Sequence, residues 1–258
     1  MKLKYVVGAF ASVISIQATV LSAAPVVLDF EGLGVLQDSS GVGVPGLGTA
    51  VIEGVGDFYN GGFGASGSGP GIDLGITFSD NALAIVDADA AGLPSSQGNF
   101  GGEPTPDTVL FFLTGSAATL NFADGFTDGF SFFYSSINFT GNIDVYSGLN
   151  ATGDVLASLT LPSTPFNGEP DPTGNFSPFV PLGVSFDGVA QSVDFGGTIN
   201  QIGFDNITFG AADPLEGNTG GTVTPPPPAV VPVPASLPLL LGGLGGLALL
   251  RRRTQRLA

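Results

Sequence analysis

Acidic side chains are the groups in this sequence best suited to chemistry. The chain has 258 residues, with 22 Asp and Glu, no His and no Cys, and its six Lys and Arg lie at the two ends. Without His or Cys there is no Ser-His-Asp triad, no Cys-His pair and no ordinary zinc site. Between Pro25 and Pro234 there is no Lys either, which excludes Schiff-base and Ser-Lys chemistry there.

Carboxylates leave two kinds of chemistry open. Glycosidases work with two acids about 5 to 9.5 Å apart, but 22 acids offer many accidental pairs, so we predict that the protein is not an enzyme. Calcium takes six to eight oxygens from carboxylates, amides and backbone carbonyls. The central part of the chain is rich in all three and has no competing ammonium group.

Two local motifs do not meet the requirements of the sites that they resemble. The segment DADAAG begins like an EF-hand loop at Asp87, but Ala91 and Gly98 occupy the fifth and twelfth ligand positions. We interpret it as an acidic turn. The glycine-rich segment at 61–71 lacks the Gly-Lys-Ser/Thr ending of a phosphate loop, and we expect a flexible surface loop there.

The distribution of charge limits the classes of partner that the chain can bind. All 22 acids lie between Asp29 and Glu216, in a stretch without a basic residue. Nucleic-acid binding needs Lys and Arg to displace counterions from phosphate, so we predict no nucleic-acid partner. Anionic lipid heads are repelled in the same way, whereas cations are attracted.

The N-terminus is typical of a secretory signal peptide. Met1–Lys4 is basic, Tyr5–Leu21 is apolar, and Ser22–Ala24 supplies small residues for cleavage after Ala23 or Ala24. We predict a signal peptide at 1–24 and export through the inner membrane. A buried N-terminal helix is the alternative.

The C-terminus has a second membrane signal. A Pro/Gly-rich linker at 213–230 precedes an apolar segment, Ser236–Leu250, that as a helix reaches about 22 Å. The hydrocarbon core is roughly 30 Å thick, so this helix is a marginal anchor. Arg251, Arg252 and Arg253 follow it, and the positive-inside rule places them in the cytoplasm.

The order of proline motif, apolar helix and arginine cluster at 231–258 resembles the PEP-CTERM class of sorting signals, in its VPLPA-CTERM variant. The motif consists of Val231, Pro232, Val233, Pro234 and Ala235, with Val233 where that variant has Leu. The resemblance implies an exosortase-type membrane protease as partner, transient contact with the inner membrane, and a Gram-negative bacterium with an exopolysaccharide or biofilm matrix. A plain tail anchor is the alternative.

Between these signals, residues 25–212 have the pattern of an all-β domain. Short runs rich in β-branched and aromatic residues recur with Gly, Asn, Asp or Pro between them. The runs are VVLDFEG, IDLGITFS, ALAIVDAD, TVLFFLTG, ATLNFAD, GFSFFYSS, NIDVYSG, VLASLTL, PLGVSFDG, QSVDFGG and QIGFDNITFG. About twenty Phe can fill the space between two sheets without disulfides. We predict a jelly-roll-like β-sandwich with an N-terminal signal peptide and a single C-terminal transmembrane sorting helix.

The two ends of this domain, VVLDFEGLG and IGFDNITFG, resemble galactose-binding-like jelly rolls. In that family, acidic residues of the opening and closing strands commonly help to bind a structural calcium. Carried over by position, Glu31 and Asp205 are the candidate calcium ligands, and Asp29 is a third on the same strand face. In the alternative, Asp29 and Asp205 are ordinary solvent-facing edge residues and Glu31 opens a turn.

These features together predict an exported, exosortase-processed protein of the cell surface or extracellular matrix. Its role would be structural or adhesive in biofilm or exopolysaccharide, and not enzymatic. The alternative is a protein like a carbohydrate-binding module with structural calcium. For sugar stacking, Tyr134 in FSFFYSS could point outward while Phe133 points inward; otherwise this run is a core strand with one polar tip.

Overall fold

All regular structure in the described part of the chain is β. The computed structural model describes residues 25–34, 52–88, 90, 98–166 and 174–214. The all-β prediction is confirmed for these residues, and none of their segments forms a helix that could cross a membrane. The predicted signal peptide, the sorting signal and nearly all of the linker lie outside the described residues.

The described residues form ten strands, and most coincide with the predicted runs. They are β1 (Val26–Leu28), β2 (Ile52–Gly54), β3 (Ile76–Phe78), β4 (Ala82–Val86), β5 (Thr108–Phe112), β6 (Ala117–Ser135), β7 (Gly141–Gly148), β8 (Thr152–Leu161), β9 (Val180–Gly196) and β10 (Gly203–Phe209). Strand β2 was not predicted, because Ile52 is its only β-branched or aromatic residue. Strands β6 and β9 each join two predicted runs, since the Gly and Asp residues near each junction do not end the strand.

The pairings between these strands are all antiparallel and form one large sheet. The order is β2-β4-β5-β10-β6-β9-β7-β8, with β1 added to β10 and β3 added to β6. The opening strand therefore lies against the closing strand, with Val26 opposite Phe209 and Leu28 opposite Ile207.

Strand β6 changes neighbours in its middle. Its register with β9 shifts between Asn121 and Phe126 and again before Asp128, and both Gly125 and Asp128 have positive φ. Such bulges bend a strand and increase its twist. Before the bulges β6 pairs with β3, and after them it pairs with β10, so the sheet has two halves.

Phenylalanine rings from the two halves meet in a common core. Phe195 lies in the half that contains β7, and its ring centroid is 5.0 Å from that of Phe204 on β10. It is also 6.0 Å from Phe130 and 6.4 Å from Phe132, on the second half of β6. The two halves therefore pack face to face, as in the two layers predicted from the sequence. The jelly-roll connectivity stays a prediction.

Tyr134 belongs to this core, and the possibility that it points outward for sugar stacking is wrong. It is 3% exposed, and its hydroxyl donates to the Pro162 carbonyl at 3.0 Å. Because side chains alternate along a strand, Tyr134 shares the inward face with Phe132. Phe133 packs instead on the opposite face against a smaller cluster. The interpretation of this run as a core strand with one polar tip is confirmed.

We expect Phe195→Ala to destabilise the domain by about 3 to 5 kcal/mol, because it removes a fully buried ring that both halves contact. Urea unfolding followed by circular dichroism measures this change. Phe139→Ala is the matched control: its ring is 43% exposed, and we expect a change within about 0.5 kcal/mol. Equal losses in the two variants would contradict the two-layered core.

Candidate functional site: a buried carboxylate cluster

The pairing of β1 with β10 brings the predicted calcium ligands together. Leu28 lies opposite Ile207, so the chain that leaves β1 through Asp29 and Glu31 runs alongside Asp205. A third segment, residues 105–108 at the start of β5, bonds to these acids. We call Asp29, Glu31 and Asp205 the carboxylate cluster.

Asp205 is fully buried and accepts hydrogen bonds from both sides. The Thr105 hydroxyl lies 2.8 Å from its Oδ2, and the Thr105 N–H donates to the same oxygen at 3.1 Å. The N–H of Asn206 donates to Oδ1 at 2.7 Å. This carboxylate therefore ties β10 to the segment before β5, and Asp205 is not the solvent-facing edge residue of the alternative.

Glu31 makes a parallel connection from β1. Its Oε1 accepts the N–H groups of Asp107 at 3.0 Å and Thr108 at 2.9 Å. The Thr105 hydroxyl also lies 3.3 Å from the carbonyl oxygen of Asp29, between that oxygen and Asp205. The first strand, the last strand and the 105–108 segment are thus joined through the carboxylate cluster and Thr105.

The turn at Asp29 is held from inside the core. Its Oδ1 accepts the N–H of Glu31 at 3.2 Å, as in an Asx-turn. Phe30 has a positive φ of 59° and donates its N–H to the buried Tyr59 hydroxyl oxygen at 2.7 Å. This geometry directs Phe30 into the core and leaves Asp29 and Glu31 beside Asp205.

Burial dominates the electrostatics of the cluster. Burial raises the pKa of Asp205 well above its usual value, and the charge of Glu31 adds to this rise. For Glu31, burial raises the pKa to about 7, although the Asp107 and Thr108 N–H groups act in the opposite direction. Burial also raises the pKa of Asp29. No Lys or Arg lies between Pro25 and Pro234 to compensate these charges.

A bound proton or a bound cation can neutralise the negative charge of such a cluster. Its oxygens are carboxylate, hydroxyl and carbonyl oxygens, which is the donor chemistry that calcium prefers. Among the described residues, no three acidic side chains form a group that could hold a metal ion by themselves. A calcium ion here would therefore also need backbone or Thr105 oxygens. The residue types fit a calcium ion on that condition.

Sequence reasoning missed two contributors to the cluster, Thr105 and Tyr59. Both reach it through contacts between residues far apart in sequence, at separations of 100 for Thr105 with Asp205 and 29 for Phe30 with Tyr59. A single Thr or Tyr in a loop gives no local signal for such contacts.

A second buried carboxylate, Glu53 on β2, was also missed. It is 2% exposed and accepts the N–H groups of Gly34 at 2.8 Å, Ser66 at 2.7 Å and Ser68 at 3.2 Å. The glycine-rich segment at 61–71, which we expected to be a flexible surface loop, is therefore anchored by hydrogen bonds to Glu53. Its glycines permit this close approach: a Cβ on Gly64 would lie 2.5 Å from a Glu53 oxygen.

Asp87, the first residue of the predicted acidic turn, is also buried, at 1% exposure. Its N–H donates to the Asp107 carbonyl at 2.8 Å, and the residue forms a parallel bridge with Gly98. Residues 89 and 91–97 lie outside the described residues.

Comparisons with known proteins give no family. No family model and no curated protein matches this chain. A family 43 arabinoxylan arabinofuranohydrolase from Bacillus subtilis is 15% identical, with a TM-score of 0.30, over 50% of this chain and 33% of that one. A family 6 carbohydrate-binding module is 17% identical, with a TM-score of 0.30, over 52% and 86% of the two chains.

A third solved structure is the K2 cleaved adhesin domain of Lys-gingipain. It is 13% identical, with a TM-score of 0.32, over 54% of this chain and 90% of that one. The present chain spans about a third of the length of the arabinofuranohydrolase. Likenesses at these TM-scores carry no argument about function.

The raised pKa of Glu31 predicts a pH dependence of the metal-free protein. A carboxyl with a higher pKa in the folded state holds its proton more tightly there. Its contribution to stability is therefore present below the ordinary pKa of 4.5 and is lost as the pH rises through the folded-state pKa of about 7. We expect urea midpoints in a chelator to fall between pH 5 and 7.5, and to fall less in Glu31→Gln, whose amide oxygen still accepts both N–H groups.

The matched control for this prediction is Asp154→Asn, which removes a charge from the exposed strand β8. The urea midpoint of this variant should fall between pH 5 and 7.5 as much as that of the wild-type protein. An equal decline in Glu31→Gln would show that the carboxyl of Glu31 is not responsible.

Proposed function

We propose that this chain is an exported protein of the cell surface or extracellular matrix, with a structural or adhesive role, whose β-domain is stabilised by calcium. The observation that carries the calcium part is the convergence of Asp29, Glu31 and Asp205 from the two ends of the domain. The charge of Asp29 acts on Glu31 and that of Glu31 acts on Asp205, in a stretch without a basic residue. A divalent cation would offset their mutual repulsion and leave the hydrogen bonds to residues 105–108 in place.

The calcium ligands would be carboxylate oxygens of the cluster, completed by carbonyl or hydroxyl oxygens such as those of Asp29 and Thr105. Both lie within 3.3 Å of one another beside Asp205. Because the ion would join β1, β10 and the start of β5, its binding would favour the folded state over the unfolded one. Calcium would therefore stabilise the folded domain by linking these three elements.

A non-enzymatic role is supported by how these acids are engaged. Asp205 is fully buried and hydrogen-bonded on both oxygens, so a substrate could not reach it without opening the site. Glu31 accepts two backbone N–H groups with one oxygen. Both carboxylates thus accept hydrogen bonds from backbone N–H groups. Catalysis by an acid pair needs two carboxyl groups that can reach a substrate.

Export rests on the sequence of the two ends. A signal peptide at 1–24 would deliver residues 25–212 across the inner membrane, and the segment 231–258 would hold the C-terminus there for an exosortase-type protease. The net negative charge of the domain is compatible with export. At low ionic strength it makes the copies repel one another, and near 0.1 M salt this repulsion is screened within about 10 Å. Exopolysaccharide is the matrix partner that the sorting signal suggests.

The second candidate function, carbohydrate binding with structural calcium, is favoured by one surface. Asp144 on β7 lies opposite Asp194 on β9, and Thr119 donates to Asp194 at 2.7 Å. Tyr146 is two residues further along β7, on the same solvent-facing side, because Val145 between the two is buried. This face offers an aromatic ring beside hydrogen-bonding groups, which buried Tyr134 cannot do.

We expect calcium to raise the melting temperature of the purified protein at pH 7.5, and chelator to reverse the effect. At calcium 100-fold above the dissociation constant, linkage gives about 2.7 kcal/mol of stabilisation. Glu31→Gln should respond less, and Asp154→Asn should respond like the wild-type protein. Identical melting curves with calcium and with chelator would refute a calcium-stabilised fold.

Mass spectrometry of the mature protein from its native host tests the export proposal. We expect a C-terminus near Val231–Ala235 and an N-terminus at Ala24 or Pro25. Replacing Pro232 and Pro234 by Ala should leave the C-terminal segment attached. A cytosolic protein with both termini intact would contradict the proposal.

A further inference from the structure

Asn206 is a buried residue whose side-chain amide has no hydrogen-bond partner in the described part of the chain. It follows Asp205 on β10 and is fully buried. Neither its Oδ1 nor its Nδ2 is hydrogen-bonded to another described group. Its backbone, in contrast, is engaged, since the N–H donates to Asp205 at 2.7 Å and the carbonyl accepts the Thr208 hydroxyl at 3.0 Å. Buried polar side chains are nearly always paired, so an unpaired amide needs an explanation such as a bound ion.

A bulge in β10 determines where Asn206 lies. Asp205 is opposite Phe133 of β6 and Thr208 is opposite Ser131, so two residues of β10 face one residue of β6. Asn206 has a positive φ of 47°, a conformation that Asn adopts more readily than most residues. The alternation that would place Asn206 on the face opposite Asp205 is interrupted here, as bulges re-aim side chains.

The register between β1 and β10 places Asn206 beside the carboxylate cluster. Leu28 is opposite Ile207, and one step further along this antiparallel register Asp29 lies across from Asn206. Asp205 is the residue that precedes Asn206 in the chain. The buried amide is therefore attached between two of the three acids of the cluster.

We propose that the side-chain oxygen of Asn206 is a further ligand of the calcium ion at the carboxylate cluster, a role that rests on the calcium binding in the proposed function. Calcium takes six to eight oxygens, and amide oxygens are among its usual ligands. Both oxygens of Asp205 and one oxygen of Glu31 already accept hydrogen bonds. The ion therefore needs oxygens from other groups, and the unpaired amide of Asn206 can supply one.

A neutral ligand suits this position. A fourth carboxylate would add repulsion in a stretch that has no basic residue, whereas an amide adds an oxygen without a charge. Without the ion, the same amide is an unpaired buried group that destabilises the folded domain. With the ion, its oxygen has a partner. Asn206 therefore increases the dependence of the fold on calcium.

Isothermal titration calorimetry of the full chain with calcium chloride, in a nonionic detergent at pH 7.5, tests this contact. The variant Asn206→Gly removes the amide and accepts the positive φ without strain. We expect it to bind calcium at least tenfold more weakly than the wild-type protein. Equal affinities would overturn the role of Asn206 and leave calcium binding by the cluster intact, whereas a wild-type protein that binds no calcium would refute both.

Asn200→Gly is the matched control for this titration. Asn200 also has a positive φ, of 54°, but it is exposed and lies in the turn before β10. The chemical change is the same, and the calcium affinity should equal that of the wild-type protein. An equal loss of affinity in the two variants would contradict a specific role for the amide of Asn206.

Thermal unfolding distinguishes a calcium ligand from a residue that only supports the fold. In calcium, Asn206→Gly should melt at a lower temperature than the wild-type protein. In chelator, this difference should become smaller or reverse, because the metal-free wild-type protein buries the unpaired amide. An equal decrease in calcium and in chelator would mean that Asn206 supports the fold without binding the ion.

The variant Asn206→Asp keeps an oxygen at this position and adds a negative charge, and Asp also tolerates a positive φ. We expect it to bind calcium at least as tightly as the wild-type protein. Its metal-free form should melt at a lower temperature, because another carboxylate joins the cluster. A loss of calcium affinity as large as that of Asn206→Gly would contradict an oxygen ligand at this position.

Discussion

The whole structure depends on how a domain without basic residues can bury carboxylates. Between Pro25 and Pro234 no Lys or Arg is present to form a salt bridge, and a buried charge without a partner is costly. Neutral donors stabilise the buried carboxylates in part. Backbone N–H groups donate to Glu31, and the Thr105 hydroxyl donates to Asp205. The remaining charge must be met by a proton or by a cation from outside, which makes the stability of the domain depend on its environment.

This dependence is concentrated where the two ends of the domain meet. Strand β1 has three residues and pairs only with β10 among the described strands, so its backbone ladder alone holds it weakly. The hydrogen bonds of Glu31, Asp205 and Thr105 add a second attachment to the start of β5. An ion that strengthens this attachment would secure the first strand of the domain, and an exported protein would meet such ions on arrival.

Much of the fold follows from local sequence, and the cluster follows only in part. Alternation and turn residues identify nearly all strands, because each signal lies within a few residues. The joining of runs in β6 and β9 depends on bulges at Gly125 and Asp128, which are set by pairing with distant strands. Glu31 and Asp205 could be found from the motifs that contain them, whereas Thr105, Tyr59 and Glu53 are placed by contacts that span up to 100 residues. For Tyr134, the alternation in FSFFYSS left two orientations open, and the structure places its ring in the core.

Hydrogen exchange of individual amides, measured with calcium and with chelator at pH 7.5, shows whether a cation stabilises the carboxylate cluster. The amides of Asp107 and Thr108 donate to Glu31, and that of Thr105 donates to Asp205. We expect calcium to slow exchange at these amides and along β1 and β10, and to change exchange on β7 and β8 much less. Exchange that is unchanged by calcium at these three amides, or slowed equally throughout the sheet, would contradict calcium binding at the carboxylate cluster.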